Sequence, residues 1–307
     1  MVEPAIVCHG GAGHSAKDQP GVDLAVEAGW AVLMGAGQGG SDGLADSSGS
    51  DGPGGSSGSS GSSGAGGALE AAIAAIVIME NDPVLNAGTG GRIRADGSVQ
   101  LDASVMTSDG RFGAVSCIED TPNPIHVAAA LLDDQVNMLA GLGARKFADS
   151  LGIGRTPVVG SPLPTGNDTV GAVVRDSSGL IVVACSTGGC TGRPAGRIGD
   201  TPLIGAGLWC DENIGVAATG IGEAITLKMS CVRIADNFRN SIVDAPISTS
   251  AMDSLGTDLL KTAIDWGVAQ FHPSVEAGFI GLGKSGGGVG ISNTKMPVAF
   301  RSFSDES

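Results

Sequence analysis

Between residues 37 and 67 the chain holds 13 Gly and 10 Ser, and Leu44 is the single apolar side chain there larger than Ala. A tract of that composition has nothing to set against the entropy of ordering it. Any core must therefore come from the segments on either side. Both flanks carry helical periodicity, over residues 22–34 and again over residues 68–79. The tract reads as a surface loop joining two core helices. Two motifs that overlap it lose their meaning in that setting. Residues 35–40 fit G-x-G-x-x-G, yet they follow a helix instead of a strand. Residues 39–43 match a serine nucleophile elbow, which requires a taut strand-to-helix turn.

The remaining sequence has the balance of a folded globule. The chain is 42% hydrophobic and 16% charged, which excludes a disordered polymer, and 307 residues suffice for one large domain or two small ones. From Arg92 the period changes to two, which predicts a hairpin over residues 92–105 around Asp96-Gly97. A strand is expected over 111–118 and a helix over 124–151, before a connector rich in Pro and Gly at 152–168. Beyond it come a hairpin of apolar strands, 169–175 and 180–187, a strand at 213–218, helices from Gly222 and over 250–271, and strands at 277–282 and 289–292. Strands in runs and helices in pairs imply stacked layers more than a βαβ alternation.

Charge excludes some partners. With 17 Lys+Arg against 32 Asp+Glu the net charge is −15, a sign that repels nucleic acid. Lys is scarce, Tyr is absent and aromatics are 3%, a bias that fits an acidic, halophilic proteome. No apolar run reaches the ~18–20 residues of a membrane span, and residues 1–13 lack the pattern of a secretory leader, so a cytoplasmic protein without a membrane partner is expected. The six cysteines form no C-x-x-C pair and read as buried hydrophobes. The four histidines lack metal-ligand spacing, so no metal ligands are assigned.

Residues 278–285 fit the phosphate-loop pattern G-x-x-x-x-G-K-[ST], ending in Lys284 and Ser285. Such a loop leads into a helix whose amides hold phosphate. Here Gly286, Gly287 and Gly288 follow, and each Gly disfavours helix by ~1 kcal/mol. Strand–turn–strand is the expected structure, which leaves a nucleotide-binding protein as a remote alternative.

The informative stretch is Asn167-Asp168-Thr169-Val170-Gly171-Ala172-Val173, where a Thr opens a buried-type strand directly after the connector. Thr is common in strands, so the heptad alone says little. Further blocks follow in order: Cys185-Ser186-Thr187-Gly188-Gly189, then residues 196–207 with Arg197 and Asp200, then Ala218-Thr219-Gly220-Ile221-Gly222-Glu223. In the first half stand residues 5–13, 81–88 with Asn86, and 101–106. Together these blocks resemble the plant-type asparaginase / isoaspartyl peptidase family, threonine N-terminal nucleophile hydrolases related to glycosylasparaginase and taspase.

The resemblance implies an α+β fold, a four-layer αββα sandwich. It implies self-cleavage between Asp168 and Thr169, giving an α subunit 1–168 and a β subunit 169–307 within one composite domain. Thr169 would be the nucleophile, activated by its own freed α-amine, whose pKa in peptides is ~8. Thr187 would orient that amine and hydroxyl, while Thr219 and the Gly220 amide form the oxyanion hole. Arg197 would fork onto the substrate α-carboxylate and Asp200 would accept its α-ammonium, with Gly220 and Gly222 lining the site and Asn86 supporting it. No cofactor is required, and a structural sodium ion on the carbonyls before Asn86 is compatible with the family. The partner is a small-molecule substrate, asparagine or a β-aspartyl peptide, and a dimer of processed pairs is expected. One departure keeps a rival open: Asp168 precedes the nucleophile where asparaginase-like members have Gly. That is the pattern of glycosylasparaginase-like amidases and taspase-like endopeptidases.

Overall fold

A computed structural model of the chain describes residues 2–13, 19–35, 67–161, 169–243 and 252–303. Most of the glycine-serine tract and Asp168 lie outside the described residues. The first half contributes β1 (Ala5–His9), α1 (Gln19–Leu33), α2 (Ala68–Asn81), β2 (Leu101–Thr107), β3 (Phe112–Ile118), α3 (Pro124–Ala130), β4 (Met138–Ala140) and α4 (Gly141–Ser150). The second half contributes β5 (Val170–Arg175), β6 (Ile181–Thr187), β7 (Leu208–Cys210), β8 (Ile214–Gly220), α5 (Gly222–Lys228), α6 (Ser230–Val243), α7 (Met252–Ala269), β9 (Ala277–Gly283), β10 (Val289–Ser292) and β11 (Val298–Ser302).

Strand pairing makes two sheets, ordered β11-β1-β5-β6-β2-β3-β4 and β10-β9-β8-β7. All neighbours are antiparallel apart from β3 and β4. The two-residue period of the strands sorts their side chains. Ile6, Cys8, Val170, Ala172 and Val174 join a core with Val26, Trp30, Ala72 and Ile76 of α1 and α2. The alternate residues Ala5, Val7, Val173 and Val183 join another with Leu208, Ala217, Ile280 and Leu282 of the smaller sheet. The remaining faces of β8 and β9 bury Ile214, Val216 and Phe279 against Ile234 and Phe238 of α6 and Leu260 and Ile264 of α7. Gly215 permits the close approach of the two sheets, since a Cβ there would come within 2.7 Å of Val173 and 2.8 Å of Val183. No described helix is long and apolar enough to cross a membrane.

Two expected elements differ. The helix expected over 124–151 is broken into α3 and α4, with β4 between them pairing parallel to β3. Asp134 turns the chain by accepting the Val136 amide, and Gly141 has φ of 52°, a left-handed conformation that a continuous helix excludes. The hairpin over 92–105 shrinks to a turn at Asp96-Gly97 with one bridge, Ile93 to Val99. Arg92 and Arg94 are drawn inside, and Arg92 bridges to Ser161 instead of extending the hairpin. Helix α6 and strands β7 and β11 lie outside the elements expected from the sequence. The Lys284-Ser285 segment is the turn between β9 and β10, with no helix after it.

Candidate active site

The hairpin β5–β6 sets the site. Val170 stands opposite Ser186 in the register, so one step further brings Thr169 across from Thr187 at the same end of the sheet. Both are buried, 4% exposed each. On the facing sheet β8 ends in Thr219 and Gly220, and Gly222 opens α5 directly afterwards. Between these strand ends lies a small, partly open pocket. Thr169, Thr187 and Gly189 form one wall, Arg197 and Asp200 another, and Gly220 and Gly222 a third.

Thr169 Oγ lies 3.4 Å from the Thr201 hydroxyl. Thr201 is held in turn by its carbonyl, which accepts the Ser104 hydroxyl at 2.6 Å. Thr187 Oγ accepts the Gly189 amide at 3.1 Å, fixing the turn beyond β6. Asn86 braces that turn from the other half of the chain: its Nδ2 donates to the Gly189 carbonyl at 2.6 Å, and its carbonyl accepts the Gly188 amide. The fit leaves no room for a side chain, because a Cβ on Gly188 would lie 2.3 Å from Gly91 Cα and 2.6 Å from Asn86 Oδ1. Thr219 is fully buried and its Oγ accepts the Ala12 amide at 3.0 Å.

Charge is concentrated on the second wall. Burial pushes the Asp200 carboxyl up to about 7, against the pull of the Arg197 guanidinium, and its Oδ2 has no protein partner among the described residues. A buried carboxylate with an oxygen facing a cavity is an acceptor for a cation. Arg197 is 12% exposed and forks onto Glu223, Nε to Oε1 at 3.1 Å and Nη2 to Oε2 at 2.8 Å. Burial works against the guanidinium charge, but Glu223 and the other anionic neighbours outweigh it and raise its pKa. The hydrogen bond from Arg197 holds Glu223 below the usual carboxylate range.

Of the residues singled out in the sequence, Thr169, Thr187, Arg197, Asp200, Gly220 and Gly222 line the one cavity. Thr219 and Asn86 sit beside it through the contacts above, and Asp168 lies outside the described residues. Arg197 meets a carboxylate of the protein's own, which the sequence reading did not foresee. Four further residues were missed. Thr201 and Glu223 were adjacent to assigned positions. Asp102 is a lone acid in an apolar run, whereas Glu80 closes the apolar face of α2 directly before Asn81 and Asp82. Asp102 stands opposite Thr187 in the β2–β6 register and accepts the Cys117 amide at 2.7 Å, with burial raising its pKa to about 6. Glu80 takes the Ser186 hydroxyl at 2.7 Å and the Ile125 amide at 3.2 Å, and burial raises it to about 8. Among the described residues no group of three or more His, Cys, Asp or Glu is placed to hold a metal ion.

A mixed α/β structure that brings threonines at the ends of its two sheets together with an arginine and a buried aspartate from the β6–β7 segment has the parts of a hydrolase acting on a charged small molecule. The family described as asparaginase matches residues 59–161 and 160–268, more than half of the chain, and the chain belongs to that family. It is 33% identical over 255 residues to an isoaspartyl peptidase/L-asparaginase of Rattus norvegicus, covering 72% of this chain and 76% of the relative. It is 34% identical over 262 residues to the protein of that name from Danio rerio, covering 75% and 74%. An N(4)-(β-N-acetylglucosaminyl)-L-asparaginase of Elizabethkingia miricola is 37% identical over 169 residues, 48% of this chain and 50% of the relative.

Proposed function

We propose that the protein is a self-activating amidohydrolase that converts asparagine to aspartate and ammonia and cleaves β-aspartyl peptides. One observation carries the reading: the Thr169 hydroxyl shares a cavity with Arg197 and Asp200, a cation and an anion suited to the two charges of an amino acid. The names of the rat and zebrafish relatives support the same substrates.

In this mechanism Thr169 Oγ first attacks the Asp168 carbonyl carbon, the peptide nitrogen leaves as the amine of Thr169, and water hydrolyses the resulting ester. Chains 1–168 and 169–307 result. The freed amine, on the same residue as the hydroxyl, then takes the Oγ proton as that oxygen attacks the side-chain carbonyl carbon of asparagine. The oxyanion is met by the Thr219 hydroxyl and the Gly220 amide. Gly220 has φ of 136° and its Cα packs on the Glu276 carbonyl, so that no side chain could stand there. Ammonia leaves with the proton, and water attacks the β-aspartyl ester to restore Thr169. Thr187 and Thr201 orient the amine and hydroxyl.

The fold reading extends to a four-layer αββα order, supported by three cores in which helices, sheet, sheet and helices alternate. It extends as well to a dimer of processed pairs and to a cytoplasmic, saline setting, which the acidic composition supports. A structural sodium ion on the backbone carbonyls before Asn86 belongs to the same reading. Those carbonyls would hold it, and it would supply rigidity alone. The glycosylasparaginase-like reading is kept alive by Asp168 and by the Elizabethkingia relative. Purified protein given asparagine without ATP should release ammonia, equally in Lys284→Ala. Turnover of glycosylasparagine with none of asparagine would favour the rival, and a strict ATP requirement would defeat both.

A further inference from the structure

We infer that Glu223 is a positioning residue that presents the end of the Arg197 guanidinium to the substrate α-carboxylate. The inference rests on the asparaginase reading and adds a residue that the proposed mechanism does not use. A guanidinium has two edges that can hold a carboxylate in a fork: the side edge of Nε and one Nη, and the end edge of the two Nη atoms. Glu223 takes the side edge with both of its oxygens, at 3.1 and 2.8 Å. Among the described residues no hydrogen bond or ion pair occupies Nη1. The free end edge faces space kept open by two glycines of the cavity wall. A Cβ on Gly199 would lie 3.0 Å from Nη1, and one on Gly222 would lie 3.0 Å from Nη2 and 2.8 Å from Asp200 Oδ1. The end edge and the Asp200 carboxylate thus adjoin one gap, as an α-carboxylate and an α-ammonium on a single carbon require.

The side chain that fixes the guanidinium plane is at the rim, since Glu223 is 50% exposed against 12% for Arg197. Replacing it leaves its own place to water and does not open the core. With Glu223 gone, Arg197 must be ordered by the substrate itself, which weakens binding and leaves the reacting groups untouched. The opposite geometry makes the opposite prediction. Were Glu223 holding the edge that the substrate needs, it would be a competitor, and removing it would tighten binding.

The experiment measures kcat and KM for asparagine in the self-cleaved wild type and in Glu223→Ala, Glu223→Gln and Glu223→Asp, beside β-alaninamide, which is asparagine without its α-carboxylate. For Glu223→Ala we expect KM for asparagine to rise about ten-fold with kcat held, as expected when uniform binding is lost. Glu223→Asp should recover part of the loss and Glu223→Gln less. For β-alaninamide kcat/KM should not change, and in an Arg197→Ala background Glu223→Ala should add nothing. A fall in KM, or an equal loss on both amides, overturns the inference while leaving the asparaginase reading intact. Failure of the wild type to release ammonia from asparagine overturns that reading, and the inference with it.

Discussion

The Ala12 amide donates to Thr219 Oγ at 3.0 Å, joining the glycine turn after β1 to the end of β8 across 207 positions of sequence. The bond fills one lone pair of the hydroxyl and leaves its own hydrogen to point elsewhere. That hydrogen is the one the proposed oxyanion-hole role would use. Removing one such donor typically costs ~10²–10³ in kcat. Thr219→Val, which keeps the shape and deletes the hydroxyl, should lose that much in steady-state kcat with asparagine, and Thr219→Ser should retain most of the rate. A Thr219→Val enzyme with wild-type kcat would remove the hydroxyl from the oxyanion hole.

Arg197→Ala should separate binding from self-cleavage. The change leaves Thr169, Thr187 and Thr201 in place, so processing should proceed on gels as in the wild type. Losing a charge-assisted fork at a half-buried site costs on the order of 2–5 kcal/mol, which predicts a fall in kcat/KM of roughly 30-fold or more. Arg197→Lys should restore little, because a point charge cannot hold Glu223 and a substrate carboxylate on two edges of one plane. Unchanged turnover of asparagine would move the carboxylate anchor elsewhere and favour an endopeptidase.

Asp200 gives the site a pH dependence whose sign can be worked out. Burial raises its carboxyl to about 7 in the ligand-free protein, while an ammonium partner requires the carboxylate. Below about pH 7 a proton must leave before the ligand binds, so affinity should fall by up to ~10-fold per pH unit. Competitive inhibition by the product, L-aspartate, should weaken from pH 7.5 to 5.5 in the wild type and stay flat, at poorer affinity, in Asp200→Asn. Stability of the empty protein moves the other way. A folded pKa above the unfolded value adds stability below the unfolded pKa that is lost as pH rises through 7. The Tm gap between Asp200→Asn and wild type should therefore shift in favour of the variant with rising pH. A flat inhibition constant in the wild type would contradict the assigned role.

How much was legible beforehand depended on whether the signal was local. The apolar strands about residues 177–179 declared themselves by alternation and a turn, and α2 by its unbroken apolar face, because each is determined by neighbours in sequence. Residues 124–151 misled because composition favoured helix throughout, while β4 exists only through pairing with β3, a distant partner. Arg94, expected in the hairpin over 92–105, is instead buried behind Gly189 for the same reason: a Cβ on Gly189 would meet its guanidinium at 2.7 Å. In the site, residues in glycine-rich blocks could be named one by one. The grip of Glu223 on Arg197 and the bond from Ala12 to Thr219 could not, since both are contacts across a fold.

The central claim is that Thr169 becomes a chain end and attacks twice, once its own backbone and once the substrate. The most direct measurement is the intact mass of the purified protein alongside that of Thr169→Ala. The account predicts two fragments for the wild type, residues 1–168 and 169–307, and a single uncut, inactive chain for the variant. An uncut wild-type chain that hydrolyses asparagine would contradict it.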